Sequence, residues 1–440
     1  MAMILVACAA AYEKRGFLTE KIHSQAEKYC ETTEDVNQYS GYYKLNTGDK
    51  NYFYWAFESR NDPANDPVVL WHTGGPGCSG MLALVVENGP CHLSDDGMTS
   101  SINPYSWNNN ATLIYIDQPT GTGFSYGSDY DHNETEVGND MYDFLQQWLD
   151  AHDEFRDNDF YVFGESYGGH YVPAVTHRIW QGNQDASNKK IQLKGLAVGN
   201  GLTDPEIQYA YYPDMIVSTN NHTAAVGTIE HGLMKLAVKP CISQITKCNN
   251  GDDSACSKAY EECNIALTSP YSASGRNPYD MRAKCEVKPL CYNFTKVDVF
   301  FNRDDVRAAL GVGDRKWSSC NMQVNQMFGG DWMKNYQTDL PDQLDSDIKV
   351  LIYAGDQDYI CNWIGNKAWT MAMDWSGHDA FNAAEDLPYR LDSNGLEVGK
   401  LRTAKGFSFL QIYSAGHMVP LDQPEAALDM FNGFVLGSKF

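Results

Sequence analysis

The stretch that decides the fold is Asp159-Phe-Tyr-Val-Phe-Gly-Glu-Ser-Tyr-Gly-Gly-His-Tyr-Val-Pro173. Residues 160–163 form an apolar run typical of a buried strand, and a helix is expected directly after the stretch Gly164-Glu-Ser-Tyr-Gly168. The glycines on both sides of Ser166 permit the strained turn that projects a nucleophilic hydroxyl above a sheet. Such a pattern alone also fits an ordinary turn, but its place between a strand and a helix favours a nucleophile elbow.

Other apolar runs extend this pattern along the chain. We predict buried strands at residues 67–72, 111–116, 193–198, 349–354 and 407–414, a hairpin at 38–45 and 51–59, and a helix at 139–155. Strands that alternate with helices form a mostly parallel central sheet with helices on both faces. The expected fold class is therefore α/β, and specifically the α/β-hydrolase fold with an inserted cap.

The middle of the chain breaks this alternation. Residues 204–295 gain cysteines and prolines, so we predict an inserted, disulfide-rich cap between two parts of the core at 12–203 and 296–440. Residues 1–11 are apolar and end in small residues, which favours a signal peptide over a buried strand or helix. No apolar run reaches the roughly 18 residues that a membrane span needs, so no span is expected.

The charge balance argues against some partners. The chain has 57 acidic residues against 33 Lys and Arg, a formal net charge of −24. This charge repels phosphate backbones and anionic membrane surfaces, so no nucleic-acid partner is expected. The acidity fits either plain solubility or service in an acidic compartment.

The cysteines indicate an oxidising compartment. Six of the 12 lie between Cys241 and Cys291, while the CxxC and HExxH spacings of metal sites are missing, so we expect disulfides and neither a metal ion nor a cofactor. Plausible short loops join Cys248 to Cys256 inside Cys241 to Cys263, and Cys285 to Cys291, although the sequence leaves the connectivity open. Glycosylation sequons also favour the secretory pathway, and they stand at Asn110, Asn133, Asn221 and Asn293. The expected destination is a lysosome, a vacuole or the extracellular space.

A serine nucleophile needs an imidazole base, and the base needs a carboxylate that orients it. His417 follows the predicted strand 407–414, and both Asp356 and Asp358 follow strand 349–354. The ends of these parallel strands meet at one edge of the sheet, where Ser166 is also expected. The spacing alone leaves either aspartate as the third member of a catalytic triad.

Backbone N–H groups are expected to stabilise the oxyanion of the reaction. In this fold they come from the residue after the nucleophile and from an early glycine-rich loop, which here are Tyr167 and Gly75. As an isolated motif the loop Gly74-Gly-Pro-Gly77 also fits a plain turn. Its position after a strand favours the functional interpretation.

Taken together, these segments resemble the serine carboxypeptidases, from about residue 38 to the C-terminus. The motifs that carry the resemblance include Tyr54-Trp-Ala-Phe-Glu-Ser-Arg-Asn-Asp-Pro63, Gly74-Gly-Pro-Gly-Cys78, Gly164-Glu-Ser-Tyr167, Gly330-Asp-Trp332, Ile360-Cys-Asn-Trp363 and Gly416-His-Met418. The resemblance implies release of single C-terminal amino acids from peptides and proteins with free C-termini, at acidic pH and through an acyl-enzyme. It also implies that Asp358, rather than Asp356, completes the triad with Ser166 and His417.

The resemblance assigns further residues by position. Thr73, Gly74, Glu87 and Glu165 would bind the terminal carboxylate of the substrate, with at least one glutamate protonated because facing carboxylates do not all ionise cheaply. The family has asparagine where this chain has Thr73, so a hydroxyl replaces an amide there. The substrate pockets would favour bulky apolar side chains, and the residues implied for them, for which core packing is the alternative, are Tyr279, Trp332, Ile360, Cys361 and Met418.

The resemblance also implies a disulfide pattern. Its pairs are Cys78–Cys320, Cys241–Cys263, Cys248–Cys256 and Cys285–Cys291. Cys30 and Cys91 lie outside the family pattern, and as a remaining pair they suggest a bond with each other. Cys361 is then expected to stay a free thiol beside the active site.

Two other functions stay open. An acyltransferase, esterase or hydroxynitrile lyase on the same scaffold would keep the triad, but the two glutamates Glu87 and Glu165 favour a peptidase. A protein that protects a partner enzyme would keep its role without Ser166. The sequence does not give the oligomeric state.

Overall fold

The computed structural model of this protein describes residues 18–21, 29–218, 225–288 and 290–440. The expected signal peptide at 1–11 and the sequon residue Asn221 lie outside the described residues, and both stay predictions. Among the described residues, no helix is long and apolar enough to cross a membrane.

A sheet of 12 strands organises the molecule. The strands before the nucleophile are β1 (Leu18–Lys21), β2 (Gln38–Lys44), β3 (Lys50–Phe57), β4 (Val68–His72), β5 (Cys91–Leu93), β6 (Ser100–Ile102), β7 (Thr112–Ile116), β8 (Tyr126–Gly127) and β9 (Phe160–Glu165). The later strands are β10 (Leu193–Gly199), β11 (Lys349–Gly355), β12 (Leu387–Arg390), β13 (Glu397–Ala404) and β14 (Phe407–Ile412). β5 and β6 form a separate ribbon.

The strand order is β1-β2-β3-β7-β4-β9-β10-β11-β14-β13-β12, and β8 pairs with β3. The central run from β7 to β14 is parallel, and antiparallel strands extend it at both edges. The hairpin of β2 and β3 has the expected partners, from Gln38 opposite Phe57 to Lys44 opposite Asn51. This mixed sheet with helices around it confirms the α/β-hydrolase fold.

The helices of the first part of the chain are α1 (Gly80–Val86), α2 (Glu134–Ala151), α3 (Gly168–Gln184), α4 (Pro205–Gln208) and α5 (Tyr212–Ser218). The next are α6 (Thr228–Asn249), α7 (Asp253–Cys263), α8 (Ser269–Ala273), α9 (Thr295–Phe301), α10 (Asp304–Leu310), α11 (Met322–Met327) and α12 (Pro341–Leu344). The last are α13 (Trp363–Ala372), α14 (His378–Ala383), α15 (Val419–Asp422) and α16 (Pro424–Val435).

Apolar side chains pack on both faces of the sheet because successive strand residues point in opposite directions. In β9, Val162 belongs to a cluster that contains residues of α2 and α3, and its neighbour Phe163 belongs to a second cluster with α1 and α16. All six residues of β9 are buried. The nucleophile turn therefore extends from a strand that is fixed on both sides.

The chain between β10 and β11 is helical or irregular in its described residues. Disulfides join Cys241 to Cys263, Cys248 to Cys256 and Cys285 to Cys291 within it. Two more join Cys78 to Cys320 and Cys30 to Cys91, so the structure joins the cysteines in the pairs expected above. Cap boundaries at 204 and 295 stay a prediction.

The described sequons differ in their surroundings. Asn293 is exposed, Asn110 donates from Nδ2 to Asn432 Oδ1, and Asn133 caps α2 by accepting from the N–H of Glu136. The cap explains why α2 begins at Glu134, five residues before the predicted start. Glycosylation at these positions stays a prediction.

Candidate active site

Ser166 occupies the sharp turn between β9 and α3. Its φ of 64° lies in the left-handed region, which a residue other than glycine adopts only when its surroundings enforce it. The Ser166 N–H donates to Gly199 O at 3.1 Å, and the Ser166 carbonyl accepts from the N–H of Leu202 at 2.9 Å. A Cβ at Gly164 would lie 2.8 Å from His72 O. The turn is thus hydrogen-bonded to the end of β10 and lies next to a closely packed contact with β4, as a nucleophile elbow requires.

His417 and Asp358 form a buried hydrogen-bonded pair. The Nδ1 of His417 lies 2.7 Å from Asp358 Oδ2, and the side chains are 3% and 0% exposed. Asp358 also accepts from Asn200 Nδ2 at 2.9 Å and from the N–H groups of Ile360 and Cys361 at 3.1 and 3.3 Å. Donors surround the carboxylate, and a carboxylate can only accept from them. The arrangement therefore places the ring proton of His417 on Nδ1. Nε2 carries no proton and is free to act as a base.

Among the described residues, one cluster of side chains has the composition of a possible metal site. Ligand atoms of Asp358, Cys361 and His417 lie within 4.8 Å of one another. The hydrogen bond between His417 and Asp358 already uses two of these groups. Burial and the nearby carboxylates raise the pKa of the Cys361 thiol well above its ordinary value, so the sulfur stays a neutral thiol. This chemistry favours the acid–base pair over a metal site.

The glycine-rich loop after β4 packs directly on the nucleophile turn. A Cβ at Gly74 would lie 2.4 Å from Tyr167 N and 2.7 Å from the Cβ of Ser166, so only glycine fits there. Asn325 holds the loop by donating from Nδ2 to the carbonyls of Gly75 and Pro76 at 3.0 and 3.2 Å. The two backbone segments expected to form the oxyanion hole are therefore neighbours.

Glu87 and Glu165 form a second buried pair beside Ser166. The two carboxyl groups share a hydrogen bond, and each is 3% exposed. Burial raises the pKa of Glu87 to about 7. Burial and the neighbouring Glu87 raise the pKa of Glu165 well above its ordinary range. A hydrogen bond between two carboxyls requires a proton on at least one of them, so the pair is a hydrogen-bond donor as well as an acceptor.

Thr73 lines the same cavity as Glu165. Its Oγ1 accepts from the Trp71 indole N–H at 3.0 Å, which leaves the hydroxyl hydrogen free to donate. Thr73, Gly74, Glu165 and Ser166 line one cavity together. The hydroxyl therefore offers a donor where the family pattern has an asparagine amide.

This cavity has a volume of about 250 Å³ and an apolar wall. Of the five residues expected in substrate pockets, Tyr279, Trp332 and Met418 line it, whereas Ile360 and Cys361 are not among its lining residues. Further lining residues escaped the sequence analysis, and they are Leu82, Leu290, Tyr292, Phe294, Met322 and Asn325. They come from separate segments without a shared motif, so the sequence alone carried no signal for them.

The profile of the family "Serine carboxypeptidase" matches residues 29–437. The chain belongs to the serine carboxypeptidase family. It is 44% identical to a serine carboxypeptidase-like protein of Oryza sativa subsp. japonica, over 92% of this chain and 94% of the relative. It is 43% identical to carboxypeptidase Y homolog A of Emericella nidulans, over 92% of this chain and 74% of the relative.

A solved structure agrees with this assignment. The crystal structure of a prohormone-processing carboxypeptidase from Saccharomyces cerevisiae superposes with a TM-score of 0.83, at 25% identity and over 95% of each chain. The protein is therefore a serine-type carboxypeptidase, a hydrolase whose substrates are peptides. The five disulfides among the described residues fit the oxidising secretory pathway.

Proposed function

We propose that this serine carboxypeptidase releases single C-terminal amino acids, preferentially bulky apolar ones, from peptides and proteins at acidic pH. The observation that carries the proposal is the buried, hydrogen-bonded pair of Glu87 and Glu165 next to Ser166. Two carboxyl groups with raised pKa values beside the nucleophile have a use in a hydrolase that binds the terminal carboxylate of its substrate. They have no use in a hydrolase that does not bind it. The destination that suits such a pair is an acidic lumen such as a lysosome or vacuole, or an acidic extracellular space.

In the proposed mechanism, Ser166 Oγ attacks the carbonyl carbon of the last peptide bond while His417 Nε2 takes the hydroxyl proton. The N–H groups of Gly75 and Tyr167 donate to the oxyanion. The C–N bond then breaks, His417 returns the proton to the leaving amine, and an acyl-enzyme remains on Ser166. Water attacks this ester with His417 again as base, the bond between Ser166 Oγ and the acyl carbon breaks, and His417 returns the proton to Ser166 Oγ as the shortened peptide leaves. Asp358 keeps the imidazole oriented and stabilises its cation.

Recognition of the free C-terminus explains the preference for acid. The protonated carboxyl of the pair, the hydroxyl of Thr73 and the N–H of Gly74 would donate to the substrate carboxylate. Loss of the Glu87 proton would place negative charge against that carboxylate and weaken binding. The apolar wall with Tyr292, Phe294 and Met418 favours a bulky apolar side chain on the terminal residue.

Blocked dipeptides test this function. A series with different terminal residues should release the free amino acid, with the highest kcat/KM for bulky apolar residues. A fluorophosphonate should label Ser166 stoichiometrically, and Ser166→Ala and His417→Ala should each lower turnover by roughly 10⁴- to 10⁶-fold. The exposed Ser187 and His132 provide the matched control variants Ser187→Ala and His132→Ala, which should keep full activity.

Four outcomes would contradict the proposal. Labelling at another serine, or near-normal turnover of Ser166→Ala, would refute the nucleophile. Preferential transfer of the acyl group to an added alcohol or amine, with little hydrolysis, would instead support an acyltransferase. Ester hydrolysis without release of any amino acid from the blocked dipeptides would support an esterase.

A further inference from the structure

A short segment of the insertion lies between the two loops that carry Asp358 and His417. We call residues 278–282 the strap. Pro278 O accepts from the N–H of Ile360 at 3.0 Å, and the N–H of Met281 donates to Gln357 O at 2.9 Å. The strap is therefore bonded to the aspartate loop on both sides of Asp358.

The strap also contacts the histidine loop. The N–H of His417 donates to Tyr279 O at 2.8 Å. A Cβ at Gly416 would lie 2.5 Å from the same carbonyl oxygen, so the two backbones touch without space for a side chain. The position of the imidazole thus depends on the position of the strap.

Arg282 ties the end of the strap to the histidine loop. Its Nε and Nη2 donate to the two carboxylate oxygens of Asp280, each at 2.8 Å, and its Nη1 donates to Ser414 O at 2.7 Å. Nη2 also donates to Asp422 Oδ2 at 2.9 Å, and this oxygen accepts from the N–H of Gly416 at 2.6 Å. One guanidinium therefore fixes the loop directly through Ser414 and indirectly through Asp422.

We propose that Arg282 is a positioning residue for His417. It does not line the cavity at Ser166. It acts by holding the loop 414–417 against the strap, so that the imidazole keeps its orientation toward both Asp358 and Ser166. The inference rests on the proposed catalytic roles of these three residues, which the Ser166 and His417 variants test separately.

The test compares Arg282→Ala with a matched control. Arg303 makes a similar set of contacts, two to the oxygens of Asp305 and one to the carbonyl of Met98, in the region of α9 and α10, but no bond that corresponds to that of Arg282 with Asp422. A misplaced catalytic group commonly costs up to about 100-fold in rate. Arg282→Ala should lower kcat for peptides by roughly 10- to 100-fold and leave KM within about twofold. The rate of fluorophosphonate labelling at Ser166 should fall in parallel, and Arg303→Ala should change neither quantity.

Two further variants separate positioning from folding. Turnover is normalised to the sites that fluorophosphonate titrates, which removes any unfolded fraction. Arg282→Lys keeps the charge but loses the planar fork, so its kcat should lie between wild type and Arg282→Ala. Asp422→Asn weakens the ion pair with Arg282 and should also lower kcat at constant KM.

The inference is wrong if kcat of Arg282→Ala, normalised to the titrated sites, equals that of wild type. It is also wrong if kcat falls as much in Arg303→Ala as in Arg282→Ala, or if Arg282→Ala changes KM alone. Should Arg282→Ala not fold, Asp422→Asn and Arg282→Lys decide in the same way, since wild-type kcat in both would refute the positioning role. Loss of activity in Ser166→Ala alone, with wild-type kcat in these variants, would leave the proposed function intact and overturn only the role of Arg282.

Discussion

The paired glutamates predict a specific pH dependence of substrate binding. Substrates with a free C-terminal carboxylate should bind more weakly as the pH rises, whereas the same substrates with an amidated C-terminus should not. The pKa of Glu87 is raised to about 7 by burial, and that of Glu165 is raised well above its ordinary range. The pair therefore loses a proton from Glu87, and gains a negative charge, as the pH passes neutrality, while Glu165 keeps its proton.

The magnitude follows from the titration curve. With a pKa of about 7, less than about 2% of Glu87 is ionised at about pH 5, and about 90% is ionised at about pH 8. If binding needs the protonated form, KM for the free-carboxylate substrate should rise about tenfold over this interval. Hydrolysis of peptides with a free carboxylate should therefore be faster at acidic than at alkaline pH.

The double variant Glu87→Gln with Glu165→Gln provides the decisive comparison. Glutamine amides donate hydrogen bonds at every pH, so KM for the free carboxylate should become nearly independent of pH. The exposed Glu385 gives the control variant Glu385→Gln, which should keep the wild-type profile. The assay is steady-state kinetics on paired free and amidated dipeptides. An identical pH dependence of KM for both substrates, in wild type and double variant alike, would refute the carboxylate clamp.

Three other predictions follow. Stability should fall from about pH 4 to about pH 7, because burial raises the pKa values of Asp117, Asp204 and Asp331 to about 7, 6 and 6. In this interval the folded state binds more protons than the unfolded state, so a rise in pH favours unfolding. Thermal unfolding measures the effect, and a melting temperature that rises over this interval would contradict it. Peptide mapping under non-reducing conditions should find Cys361 unpaired, and a disulfide at Cys361 would refute this. The buried thiol of Cys361 should react slowly with mercurials, and the bound reagent should then block the adjacent site. Thr73→Val should raise KM several-fold for free-carboxylate substrates and leave amidated ones unchanged, and equal effects on both would exclude the hydroxyl from carboxylate binding.

The core strands were predictable because their signal is local. Buried parallel strands are apolar throughout, and the predicted runs at 67–72, 111–116 and 193–198 each overlap an observed strand. The edge strands β12 and β13 escaped prediction. Their burial is irregular, with Leu387 58% exposed, so their sequences lack the alternation that marks a half-buried strand.

The candidate site was predictable where a residue sits at the end of a core strand, and not where distant segments meet. Ser166 and His417 follow β9 and β14. The cavity wall, in contrast, includes Leu290 and Phe294, which lie in the insertion between β10 and β11. Their position depends on how the insertion packs over the sheet. Such tertiary packing leaves no periodic pattern in the sequence.

The choice between Asp356 and Asp358 shows the same limit at the scale of two residues. Both follow β11 and both contact the histidine loop, since Asp356 Oδ1 accepts from the N–H of Ser414 at 2.8 Å and Asp358 Oδ2 lies 2.7 Å from His417 Nδ1. The turn after β11 decides their roles, because it directs the N–H groups of Ile360 and Cys361 toward Asp358. Spacing in the chain cannot encode this difference. The backbone N–H groups of the turn do distinguish the two residues, because they donate to Asp358. Asp358 is therefore the carboxylate that orients the imidazole, while Asp356 supports the backbone of the loop.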